Sequence, residues 1–352
     1  MAVTSAASPN VLAQQKTSAQ RSEWGQAWRR FRANRLAVVG LIVVVTLVLL
    51  AIFAGWLAPY DPAYSLRGMR GAPPSAEHWL GTDPNGRDLL SRTIYGARIA
   101  LMVAIGATVV QVLVGVSIGA IAGYFGGWTD TVLSRSIDTL MAIPVLALLT
   151  LLASVLRDKE IPSVLLTVVV IGFTGWARYA RVVRADIMSL LSRDFVIAAT
   201  SSGVRPMRVI FRHMLPNVLS SVIVLASLGI GGIIILEASL SFLGLGVRPP
   251  TASWGVILSD GRQFITSYPH IVIAPGVMIV ITVLAFNFLG DGLRDPRDPK
   301  QGTDHRRRLV ICEGGSEQRG AEELPYVFLT PDQLMVDFSV DIARWNNEHG
   351  RA

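Results

Sequence analysis

The side chains with chemical potential are few, and their spacing argues against most reactions. Acids and an arginine gather in GTDPNGRD, Gly81–Asp88. A calcium loop needs oxygen ligands at positions 1, 3 and 5 and glycine at 6. Counted from Asp83, Gly86 falls at position 4 and Asp88 at 6, so the register fails. The stretch reads instead as a polar turn capping the helix that follows. None of the five histidines, His78, His213, His270, His305 and His349, lies deep in an apolar run, and no H-E-x-x-H occurs. No G-x-x-x-x-G-K-[ST] phosphate loop is present either. One cysteine, Cys312, excludes an intramolecular disulfide. Glu237, in GIIILEASLSF, is an acid inside an apolar run. Such a group faces a cavity or bonds to a neighbouring helix. Asp291, in LGDGLRD, opposes the dipole of the helix it ends, and nearby Arg294 is expected to neutralise it.

The elements that must position these residues are mostly hydrocarbon-seeking. The 352 residues are 51% hydrophobic and 16% charged, with a formal charge of +7 and a mean hydropathy of +0.47. Soluble domains carry roughly 25% charged residues, so the balance indicates a membrane protein. The positive charge stands at the ends of apolar runs, without the basic-aromatic pattern of nucleic-acid recognition. Nucleic acid is therefore not an expected partner.

About twenty apolar residues cross a bilayer as a helix. Six segments fit: Leu36–Leu57, Ile99–Tyr124, Met141–Leu156, Val164–Trp176, Val218–Phe242 and Ile271–Leu289. The third is short unless it begins near Leu133, and the fourth needs flanking residues. The first begins too late and runs too long for a cleavable signal. Arginines precede the first span (Arg29, Arg30, Arg32, Arg35), separate the fourth from the fifth, and follow the sixth. Positive-inside asymmetry makes these regions cytoplasmic, with both termini. An all-α polytopic protein of six transmembrane helices follows. Its parts are an N-terminal tail (1–34), a first transmembrane helix (35–58), an extracytoplasmic loop (59–96), a transmembrane core (97–296) containing a cytoplasmic loop (178–216), and a C-terminal extension (297–352).

That cytoplasmic loop contains DFVIAATSSGVRPMRVIFRHMLPNVL, Asp194–Leu219. Phe195, Ile197, Ala198 and Ala199 supply apolar positions, and Gly203 can end a helix in the left-handed region. Pro206 suits the first turn of a second helix. Val209, Ile210 and Met214 share one side of it, with Arg208 and Arg212 spaced i,i+4. Leu215 and Pro216 precede the next span. The pattern predicts a helix-turn-helix at the membrane surface. It suits either an interfacial amphipathic helix or a docking element whose small Ala198–Ala199 pair admits a partner's groove.

IAATSSG…HMLPN resembles the coupling loop of ABC-importer permeases, marked by two alanines, a following glycine and a later Leu-Pro. The loop's characteristic glutamate is replaced here by Ile197. HWLGTDPNGRDLLSRTIYGARIAL (His78–Leu101), AGYFGGWTD (Ala122–Asp130), EASLSFLGLG (Glu237–Gly246), ASWGVILSDGR (Ala252–Arg262) and LAFNFLGDGLRDPRDPK (Leu284–Lys300) resemble the C-type permease of dipeptide, oligopeptide and nickel importers. The resemblance runs from about Trp24 to Lys300. It implies a type I ABC-importer fold and a non-catalytic transport subunit in the inner membrane. The implied partners are a second homologous permease, two cytoplasmic ATPases that bind ATP and magnesium, an extracytoplasmic peptide-binding protein, and membrane lipid. No cofactor is implied on this chain. The resemblance marks Ala198, Ala199, Gly203, Leu215 and Pro216 as ATPase-coupling residues, and Asp194, Phe195, Arg208 and Arg212 of the same loop are expected to join them. Glu237, an acid at membrane depth, is a pathway candidate. A secondary transporter would need coupling-ion groups near the midplane, and the few intramembrane acids do not form such a set.

Beyond Lys300 the resemblance ends. From Gln301 onward the chain holds six arginines against nine acids. Thr330, Pro331 and Gln333 form a helix-start pattern. Leu334, Phe338, Ile342 and Trp345 then line one face of an expected amphipathic helix at about 331–346. Such a helix is marginal alone in water, so its stripe is expected to dock.

Overall fold

The structure, a computed structural model, describes residues 29, 31–157 and 159–294. Regular structure among them is helical, apart from one isolated bridge between Thr82 and Asp88. In chain order the helices are α1 (Arg35–Ile52), α2 (Ala54–Leu57), α3 (Leu89–Phe125), α4 (Gly127–Ala142), α5 (Val145–Leu156), α6 (Ser163–Leu190) and α7 (Asp194–Ser201). There follow α8 (Pro206–Arg208), a π-helical stretch (Val209–Met214), α9 (Leu215–Phe242), α10 (Trp254–Gly261) and α11 (His270–Arg294). The expected tail helix, with Leu334, Phe338, Ile342 and Trp345, lies outside the described residues.

Five helices are long and apolar enough to span a bilayer, or six if α4 and α5 together make one. That third span is where expectation and structure part. α4 and α5 meet at 91° across Ile143 and Pro144. Pro144 has no N–H to extend the ladder and disfavours helical geometry at Ile143, which is extended with ψ 130°.

The second span starts ten residues earlier than its apolar run suggested, at Leu89. Asp88 caps it, accepting the Ser91 N–H at 2.8 Å and the Ser91 hydroxyl at 2.7 Å. At 37 residues, α3 measures about 55 Å, well beyond a hydrocarbon core of about 30 Å. Its extra turns lie in the polar region of the Gly81–Asp88 loop.

A glycine stripe joins α3 to α6. Gly115, Gly119 and Gly123, four residues apart, lie directly against Trp176, Ala180 and Arg184 backbone carbonyls. A Cβ at any of them would collide with α6, which is the small-residue logic of close membrane-helix contact. Gly115–Gly119 also reads G-x-S-x-G, a letter match to a hydrolase nucleophile elbow. An elbow needs a strand-to-helix turn. Ser117 instead sits within α3, its hydroxyl bonded to the Leu113 carbonyl at 2.7 Å.

Two main apolar clusters result. One, around Leu101, Ile171, Ile234 and Trp254, binds the spans together, with the Trp254 indole donating to the Thr93 carbonyl at 3.0 Å. The other, around Tyr179, Val183, Ile187 and Met214, lies towards the arginine-rich end.

Candidate functional site

The hairpin between α6 and α9 is turned by a Schellman motif. Gly203, at φ +74°, donates to the Thr200 carbonyl at 3.0 Å, and Val204 donates to the Ala199 carbonyl at 3.2 Å. Pro206 occupies the first turn of α8 as its fixed φ favours. The second helix does not stop before the span. It continues through the π-helical stretch, where Leu215 N–H reaches the Ile210 carbonyl, and so into α9. Pro216 gives the reason: it lacks the N–H an α-turn would use, and a widened turn relieves its ring. The Asn217 side chain adds a further tie across this turn, donating to the His213 carbonyl at 2.7 Å.

The hairpin has a seated face and an open one. Val196, Val209, Ile210 and Met214 are buried against Tyr179, Val183 and Ile187, with Ala199 and Leu215 half-buried beside them. Phe195, Ile197, Ala198, Arg208, Arg212 and Pro216 are exposed, as is Asp194 at the start of α7. Phe211 stands 68% exposed next to the arginines. The alanine pair is thus divided, with Ala198 outward and Ala199 inward. Sequence reasoning missed Val196, the residue that anchors α7. Its signal was the i,i+3 relation to Ala199.

Arginines of α6 tie it to α4. Arg184 makes a two-pronged pair with Asp130 at 2.5 and 2.7 Å, and Arg181 meets Asp138 at 2.6 Å. Arg178, one turn away, has no ion pair or hydrogen bond among the described residues. It lines a cavity of about 390 Å³ between α3, the α4–α5 break, α6 and α9.

At the opposite end, the Gly81–Asp88 turn does more than cap α3. Asp83 binds both Arg87, at 2.7 Å, and Arg92, and these arginines share Asp260 of α10 at 2.7 and 3.3 Å. His78 lies 2.8 Å from Asp88. Two acids and two guanidiniums thus balance where the sequence showed only a loop of mixed charge. Glu237 is fully buried, accepting the Ser241 hydroxyl at 2.8 Å, and it does not line the cavity. Ser241 in turn accepts the Val247 N–H, tying α9 to its following turn. Asp291 is exposed and forms no ion pair with Arg294.

Residues 115–302 match the model of the binding-protein-dependent transport system inner membrane component, over half of the chain. The chain belongs to this family. Residues 22–74 of the permease further match the N-terminal TM domain of oligopeptide transport permease C. It is 42% identical over 284 residues to the dipeptide transport system permease protein DppC of Alkalihalophilus pseudofirmus, covering 79% of this chain and 90% of that one. Identity to the oligopeptide transport system permease protein OppC of Bacillus subtilis is 43% over 282 residues, 79% of this chain and 90% of the relative. The glutathione transport system permease protein GsiD of Escherichia coli is 39% identical over 293 residues, 83% and 95% of the two chains. The permease is therefore a membrane-embedded transport subunit.

Proposed function

We propose that this permease moves peptides across the cytoplasmic membrane by alternating access, driven by ATPases on other chains. The observation that carries the reading is the α7–α8 hairpin. It is seated on the core by Val196, Ile210 and Met214, while Phe195, Ile197, Phe211, Arg208 and Arg212 remain outward. A basic and apolar projection seated in this way suits a groove on a moving partner. ATP and magnesium bind two cytoplasmic ATPases, whose closure pushes the hairpin and switches the spans between two arrangements. A second, homologous permease completes the pathway, and an extracytoplasmic binding protein delivers cargo. Both termini and the hairpin lie in the cytoplasm, as the arginine asymmetry indicates.

Names of relatives support a peptide cargo, with dipeptide, oligopeptide and glutathione systems among them. Nickel or another small solute is the competing cargo on the same architecture. Proteoliposomes holding both permeases, with ATPases and binding protein added, test the reading. ATP-dependent uptake of a tripeptide is expected, and none without the ATPases. Uptake that persists without them would make this a secondary carrier.

A further inference from the structure

We propose that the cavity between α3, α6, α9 and the α4–α5 break is a peptide subsite in which Arg178 engages the cargo's C-terminal carboxylate. The proposal rests on the peptide-importer reading and deepens it. Three arginines follow one another along α6 at positions 178, 181 and 184. Arg184 and Arg181 are neutralised by Asp130 and Asp138 of α4. Among the described residues Arg178 has no such partner, and no acid of them lines the cavity it faces. Arg178 opens the arginine-rich segment at the inner end of this span and is exposed, so its charge stays hydrated until a ligand replaces the water. A guanidinium offers a planar fork that matches a carboxylate.

The surrounding wall fits the same occupant. Ile143 and Val145, on either side of Pro144, line the cavity. Irregular backbone at membrane depth persists only where protein covers it or a watery cavity meets it. Gln111 is 6% exposed. Its Nε2 donates to the Ile171 carbonyl at 3.0 Å, and its Oε1 has no donor among the described residues. The cavity thus presents one cation and one free amide oxygen on otherwise small or apolar walls, Gly229 and Gly232 included. These complement a carboxylate and a backbone N–H, the groups every peptide shares, while making no demand on side-chain identity.

The test compares trialanine with trialanine amide in the reconstituted complex, with binding protein saturating. Arg178→Gln is expected to lower trialanine uptake about tenfold, the scale of one lost charge-assisted hydrogen bond, and to change amide uptake less than about twofold. Arg178→Lys keeps the charge but not the fork, so a smaller loss confined to trialanine is expected. It also serves as the reading if the glutamine variant does not assemble. Equal losses on both peptides, or no loss on either, would overturn the assignment while leaving peptide transport intact. A wild-type complex that moves neither peptide would defeat the cargo reading itself, and this proposal with it.

Discussion

A valine at position 203 would have to hold the +74° φ that glycine holds there, a region closed to β-branched side chains. Nothing lies within 4 Å of a Cβ built at that point, so backbone conformation, not space, is the constraint. Gly203→Val is expected to cost the turn about 1–3 kcal/mol. Its effect should be to uncouple peptide-stimulated ATPase activity from transport at normal complex yield. Gly203→Asn, which tolerates the left-handed region, should retain coupling. Equal coupling in both variants would remove the turn from the mechanism. A second residue-scale prediction concerns Arg92, which is fully buried between Asp83 and Asp260. Arg92→Met leaves two carboxylates to share Arg87. Breaking a buried pair this way destabilises by about 3–5 kcal/mol, so the melting midpoint in detergent should fall clearly. An unchanged midpoint would mean that water screens the cluster.

At the scale of elements, the hairpin divides its own substitutions. Ala198 faces outward and Ala199 inward, although they are neighbours in sequence. Ala198→Trp should therefore leave the permease folded but reduce the ATPase that co-purifies with it, because a ring overfills a site sized for a methyl group. Ala199→Trp should also lower the yield of the permease itself, since its side chain meets the Val196 and Val209 cluster. Identical behaviour of the two variants would contradict this division. The hairpin's punctuation was legible in the sequence, since Gly203 and Pro206 restrict the backbone whatever surrounds them. Its seat on Val196 was not, because only contact with α6 and α9 distinguishes Val196 from the equally apolar Phe195 and Ile197.

For the whole molecule, the extension beyond Lys300 supplies the remaining prediction. The spacing of Leu334, Phe338, Ile342 and Trp345 predicts an apolar stripe there, which would gain about 1.5–3 kcal/mol per large side chain by burial against a partner. Deleting residues 301–352 is expected to lower the stability of the assembled complex or alter its ATPase regulation. Thermal stability and ATPase rates of full-length and truncated complexes measure this. Indistinguishable assembly and transport would show the stripe to be dispensable.

The sequence by itself determined what depends on near neighbours along the chain. The location of the apolar segments follows from contiguous apolar length, since transfer into hydrocarbon is set by about twenty residues at a time. The Gly203 turn and the Pro206 helix start were legible for the same reason. Only tertiary structure decided how charge is shared. Arg87 finds Asp260 across 173 residues, and Arg181 and Arg184 find acids on α4 while Arg178 finds none among the described residues. It likewise decided that α4 and α5 meet at 91° across Pro144 against a cavity. Ion pairs and cavities belong to the spaces between helices, and those spaces exist only after long-range packing has chosen which helices adjoin.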